Sequence, residues 1–92
     1  MLNEHQHAYL ELLERFVQQQ ITAPHFETAF LQLHRTDTHP YSKEAGTALS
    51  VLFSDVDAYC QWPELRTEQD IDETQLRESA SLALAALKRY WL

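Results

Sequence analysis

The sequence predicts an all-α protein, an antiparallel up-down four-helix bundle forming one domain over residues 1–92. Three observations predict it. Four segments repeat apolar residues at three- and four-residue steps, which is the spacing of one helix face. The connections between these segments are short, which favours antiparallel neighbours. Glycine occurs once, at Gly46, whereas an all-β sandwich of this length needs glycine in its turns.

The first helix is expected over Glu4–Gln20, with Asn3 as its cap and Tyr9, Leu10, Leu13, Phe16 and Val17 on its buried face. His5 and His7 stand two apart, so they point to different sides of a helix and make a poor metal pair; both read as exposed residues without a role. Thr22 caps a second helix from Ala23 to about His34, with Pro24 in the first turn, where a missing N–H costs little. Phe26, Ala29, Phe30 and Leu33 form its stripe, and His25 and His34 read as surface residues. Residues Arg35–Tyr41 read as a loop, because Pro40 forces His39 out of the helical region.

Ser42 caps a third helix that runs to Tyr59 or Cys60. Ala45, Ala48, Leu49, Leu52, Phe53, Val56 and Cys60 share its apolar face, and Ala45, Gly46 and Ala48 are small enough for close helix approach. Gln61–Ile71 is irregular around Pro63, with room for one helical turn over Glu64–Glu68. Asp72 and Gln75 have the spacing of a capping box for the fourth helix. Leu76, Ala80, Ala83, Leu84 and Leu87 carry its stripe toward Tyr90 and Trp91, and Lys88 and Arg89 suit its negative end.

A chain of 92 residues buries only a little over ~60% of the surface its unfolded form exposes, so the core is small. The net charge of −7 and a pI near 5.0 disfavour nucleic acid and anionic membranes and favour basic protein surfaces. A single cysteine, Cys60, permits no internal disulfide and fits a reducing cytoplasm. The N-terminal stretch lacks the pattern of a signal peptide, and no run is long enough to span a membrane.

The acids are unevenly placed. Asp55, Asp57, Glu64, Glu68, Asp70, Asp72 and Glu73 are opposed in their segment by Arg66 alone, and Tyr59 and Trp62 sit among them. Such a run is either a solvated face or a surface for a basic partner. The asymmetry and the aromatics, which are enriched at binding hot spots, favour the partner. Asp72 reads equally as a cap or as a contact, and Tyr59 equally as a core residue or as a contact. Asp55 and Asp57 have no evident local structural role.

Chemistry finds little support. Cys60 falls in phase with the apolar stripe, so a buried inert thiol is expected rather than a nucleophile. The carboxylates crowd one segment, whereas an acid–base pair needs contrasting environments. A di-metal carboxylate bundle needs a Glu-x-x-His motif on each of two facing helices, and the sequence offers neither that pair nor a phosphate-binding glycine loop. The expectation is a non-enzyme without metal or cofactor.

Ile21-Thr22 with Phe26, the run Leu52-Phe53-Ser54-Asp55-Val56-Asp57-Ala58-Tyr59-Cys60, and Ile71-Asp72-Glu73 with Leu76-Arg77 resemble the colicin D-type immunity proteins, over roughly residues 9–88. The resemblance implies a small bacterial helical bundle that protects a toxin producer from its own tRNA-cleaving toxin, in a bacteriocin or contact-dependent inhibition system. It implies an acidic surface that enters the toxin's basic cleft and mimics the tRNA backbone. The partner would be a cognate toxin nuclease, bound 1:1 by a monomer. Asp55, Asp57, Tyr59, Asp72 and Glu73 match the family pattern. Glu64, Glu68 and Asp70 join them on charge, and Trp62 as an aromatic anchor. The competing class is a small acidic helical adaptor or regulatory protein that binds a basic partner; a small hydrolase or metal-dependent enzyme is the weaker third.

Overall fold

A computed structural model describes residues 2–60, 62–65, 67 and 70–92, and among these it has four helices and one short turn. They are α1 (Glu4–Val17), α2 (Ala23–Thr36), α3 (Lys43–Ala58), a 3-10 turn at Pro63–Leu65, and α4 (Glu73–Trp91). Among the described residues there is no strand, and no helix is long and apolar enough to cross a membrane.

Each helix begins where a polar side chain can satisfy its first orphan N–H groups. Asn3 and Gln6 form a reciprocal capping box at α1, at 2.8 and 2.7 Å. Thr22 accepts from the His25 N–H at 3.3 Å, and Ser42 from the Ala45 N–H at 3.2 Å. Asp72 and Gln75 form the second capping box, at 2.8 and 3.0 Å.

The helix ends depart from expectation for identifiable reasons. Helix α1 stops at Val17, not Gln20, because Gln19 turns left-handed with φ 63°. The Gln20 N–H then donates to the Arg15 carbonyl and the Gln19 N–H to the Phe16 carbonyl, which closes the end as a Schellman motif. Helix α2 continues through Arg35 and Thr36, since the Thr36 hydroxyl donates back to the Gln32 and Leu33 carbonyls. Helix α3 stops at Ala58, because Tyr59 turns extended (φ −68°, ψ 131°).

The stripes meet in one core. Tyr9, Leu13, Phe16, Phe26, Phe30, Leu52, Val56, Leu76 and Leu87 are almost fully buried. Aromatic rings bind the helices pairwise. Phe16 stacks on Phe26 at 4.3 Å, and Tyr9 meets Phe30 at 5.9 Å, so α1 and α2 pair with residue numbers rising on one as they fall on the other. Tyr9 also reaches Trp91 at 6.2 Å, while Arg77 Nε lies 3.4 Å from the Phe16 carbonyl and its guanidinium 5.1 Å from the Phe16 ring. Helix α4 therefore packs along α1. Tyr41 meets Trp91 at 5.2 Å and Tyr59 bridges to Ile71, which places α4 along α3 as well.

Helix α2 touches α3 lightly, and His34 carries that contact by stacking on Phe53 at 4.6 Å. His34 is thus half-buried between Phe53 and Phe30 and is not a free surface residue. Phe53 is still 37% exposed, because the His34 ring is stacked on it at the edge of the bundle and does not enclose it. Ala29, Leu33 and Cys60 are half-buried; Cys60 lies past the helix end, out of the stripe it would have joined.

Gly46 plays no part in close helix approach: a Cβ there meets nothing within 4 Å. Glycine in a helix interior costs ~0.5–1 kcal/mol relative to alanine. Gly46→Ala is expected to raise stability by about that amount in denaturant unfolding; a loss of stability would mean that a neighbour does approach.

Candidate functional site

The surface around the acidic segment is built on a backbone knot. The Cys60 N–H donates to the Ile71 carbonyl at 3.1 Å, and the Ile71 N–H donates to the Ala58 carbonyl at 3.0 Å. This parallel bridge of Tyr59 with Ile71 clamps the end of α3 to the start of α4. Between them the chain turns on itself. The Thr67 N–H donates to Asp70 Oδ2 at 3.0 Å, the Asp70 N–H donates to the Thr67 carbonyl at 3.2 Å, and the Cys60 thiol points at the Trp62 carbonyl at 3.5 Å.

The acids divide between structure and display. Asp55 has a structural role after all, since it is half-buried and accepts a hydrogen bond from the Ser79 hydroxyl across α3 and α4. Asp57 is exposed on another side of α3, two residues and about 200° round the helix. Its charge is felt by Glu27 of α2, whose carboxyl is raised above its ordinary value, first by burial and then by Asp57. Asp55 and Asp57 therefore do not form one patch. Asp70 holds the turn at Thr67, and Asp72 caps α4. Glu73 pairs with Arg77 Nη2 at 2.8 Å, one turn along. Tyr59 is half-buried against the core, as the core reading expects. Trp62 is 54% exposed and Glu64 is exposed beside it. Glu68 lies outside the described residues.

What the fold does assemble is a groove between α3 and α4, about 490 Å³ in volume. Ala48, Val51, Ile71, Leu82 and Ala86 give it apolar walls, while Asp55 and Glu78 set carboxylates into it. Val51 is 56% and Leu82 71% exposed at its lips. Ile71 belongs both to the groove and to the Tyr59 bridge, so the groove opens directly onto the acidic turn. Helix α3 carries one cation, Lys43, in its first turn, far along the helix from Asp55. Val51, Leu82 and Glu78 escaped the sequence reading. Their signal was two large apolar residues out of phase with the buried stripe, each two positions from a core residue.

A second polar cluster lies where α1 begins. The Asp37 side chain is only 4% exposed. Its Oδ2 accepts from the Tyr41 hydroxyl at 2.5 Å, and its Oδ1 from the His39 N–H at 3.0 Å and the His39 ring at 2.8 Å. His5 Nδ1 stands 4.0 Å from Oδ1. His5, Asp37 and His39 bring three ligand-type side chains together, an arrangement that the spacing of His5 and His7 did not announce. Burial alone would push the Asp37 carboxyl up, but the hydrogen bonds from Tyr41 and His39, with the Tyr9 hydroxyl adding to them, hold it below its ordinary value. The Tyr9 and Tyr41 hydroxyls are pushed up, by burial first and then by Asp37.

A group whose carboxyl is lowered on folding stabilises the fold at neutral pH and loses that contribution as pH falls through its folded value. Asp37→Asn is therefore expected to lower the melting temperature at pH 7, with the difference shrinking as pH drops below the ordinary carboxyl value of 3.8. A pH-independent difference would assign the effect to packing.

A family model described as bacterial self-protective colicin-like immunity matches residues 6–87 of the chain. No curated protein and no solved structure matches it significantly.

Proposed function

The chain belongs to the bacterial self-protective colicin-like immunity family, and from that membership we propose that it neutralises a cognate nuclease toxin by filling a basic, RNA-binding cleft with the α3–α4 face. The single observation that carries this choice of face is the groove itself. It is an apolar channel with the Asp55 carboxylate set in its wall, and it opens onto the most acidic stretch of the chain.

Such a surface suits a toxin loop bearing long cationic side chains. Arg and Lys lay their methylene stems along apolar walls and carry a charge at the tip. In the groove the stem would lie between Val51 and Leu82 and the tip would meet Asp55 and Glu78. The Ser79 hydroxyl engages one Asp55 oxygen and leaves acceptor capacity for a charge-assisted bond from the toxin. Trp62 and Glu64 extend the surface at the turn, with Asp70, Asp72 and Glu73 at its rim, where part of each carboxylate is already engaged. Inhibition is then occlusion with charge complementarity, in a 1:1 complex, and the chain acts as a binder and not as a catalyst. A tRNA-cleaving toxin and action in the producer's cytoplasm complete the proposal, since a cleft that holds an RNA backbone is a basic cleft.

Stopped-flow kinetics with the cognate toxin domain across a salt series tests it. Asp55→Asn should chiefly speed dissociation, by the ~2–5 kcal/mol typical of a desolvated charge pair left half-empty. Glu64→Gln should slow association and flatten its salt dependence, because rim charges steer encounter. Leu82→Glu should weaken binding while unfolding stays as in the wild type. Binding that survives these changes but fails in Glu4→Gln or Glu11→Gln on α1 would place the toxin on the opposite face.

A further inference from the structure

At the start of α1 two acceptor atoms face each other. The Thr36 hydroxyl lies 3.0 Å from the Gln32 carbonyl and 3.2 Å from that of Leu33, so its one proton is donated there. With the proton placed there, the hydroxyl accepts in its 3.3 Å contact with His5 Nε2 and the imidazole donates, the assignment that satisfies both groups. A neutral His5 then carries its lone pair on Nδ1. That atom is fully covered, has no hydrogen-bond partner, and lies 4.0 Å from Oδ1 of the nearly buried Asp37 carboxylate. Lone pair against carboxylate is repulsive, and burial makes it costly; the pair calls for a positive charge on or between the two atoms. His39 brings a third donor, with its Nδ1 at 2.8 Å from the same oxygen and its ring 5.2 Å from that of His5.

We propose that His5, Asp37 and His39 bind a divalent transition-metal ion of the Zn²⁺ type. Two imidazoles and one carboxylate are a donor set that suits such ions. The three ligand atoms all lie within 4.8 Å of one another. Around a tetrahedral ion with bonds of ~2.0–2.2 Å, neighbouring ligand atoms stand roughly 3.4 Å apart. The observed 2.8 Å and 4.0 Å separations from Asp37 Oδ1 bracket that spacing, so small side-chain rotations close the site.

The supporting shell is in place. Thr36 fixes the His5 tautomer and ring, and the Tyr41 hydroxyl and the His39 N–H fix Asp37, the kind of support that orients metal ligands elsewhere. When the ion takes His39 Nδ1, the proton now shared with Asp37 moves to Nε2, so the ring stays neutral. His39 lies exposed at the outer edge, which leaves the fourth position to solvent. The bound ion would clasp the first turn of α1 to the α2–α3 connection. Tyr41 and Trp91 are neighbours there, so the clasp sits at the far end of α4 from the acidic turn, roughly 28 Å away by helix rise.

The rival occupant is a proton on His5 Nδ1, and metal titration of the untagged, chelator-stripped full chain separates the two. Co²⁺ should bind at one equivalent with the strong visible absorption of a low-symmetry site, Zn²⁺ should displace it, and Zn²⁺ should raise the melting temperature. His5→Gln and His39→Gln should each weaken binding at least tenfold, and Thr36→Val about tenfold, the usual cost of losing a ligand's supporting bond. His7→Gln and His25→Gln should bind as the wild type does. Circular dichroism checks that each variant stays helical, and His39→Gln carries the decision if His5→Gln does not. Absence of stoichiometric binding by the wild type, or equal loss in His7→Gln, overturns the site.

Discussion

The two backbone hydrogen bonds that tie Ala58 and Cys60 to Ile71 decide how this molecule presents itself. A helix end leaves carbonyls and the following amides without partners, and here each strand of the turn supplies the other's. Because the bridge fixes where α4 begins, Asp72 falls at the cap position with Gln75 in register behind it. Because it brings α4 up against α3, Ser79 reaches Asp55, and Val51 and Leu82 come to flank one groove. Without the bridge, the acidic turn would be a tether between two helices free to pair differently.

Local partners explain how one short segment tolerates so many carboxylates. Crowded acids repel one another, and an unengaged cluster would weaken the fold that carries it. Here Asp70 accepts from a backbone amide, Asp72 accepts from another, Glu73 is paired with Arg77, and Asp55 accepts from Ser79. Each partner holds the charge in one place without neutralising more than a part of it. A surface fixed in this way needs little reorganisation when a cationic partner arrives, which is how preorganisation strengthens binding.

Much of the fold was legible because it is written locally. Asn3, Thr22, Ser42 and Asp72 announce four helix starts, and the stripes through Leu13, Phe26, Leu52 and Leu87 announce which faces close. The resemblance carried by the Asp55–Cys60 run and by Ile71-Asp72-Glu73 led to the family that the chain belongs to. What the sequence hid depends on neighbours far along the chain. Periodicity places Phe53 in the stripe, and only the position of α2 leaves it at the edge under His34. Asp55 and Asp57 look like a pair in the sequence, yet the helix sends one toward Ser79 and the other toward Glu27. His5 gave no sign of Asp37 and His39, because more than thirty residues separate them and the contact exists only once α1 and α2 have packed.

The central claim is that the face bounded by α3, the acidic turn and α4 is the one that meets the toxin. Amide hydrogen exchange on the chain alone and in complex with its cognate toxin domain tests it most directly. Protection is expected to gather in residues 48–59 and 71–86, with α1 and α2 exchanging as they do in the free chain. Protection confined to α1 and α2, with the α3–α4 face unchanged, would contradict it.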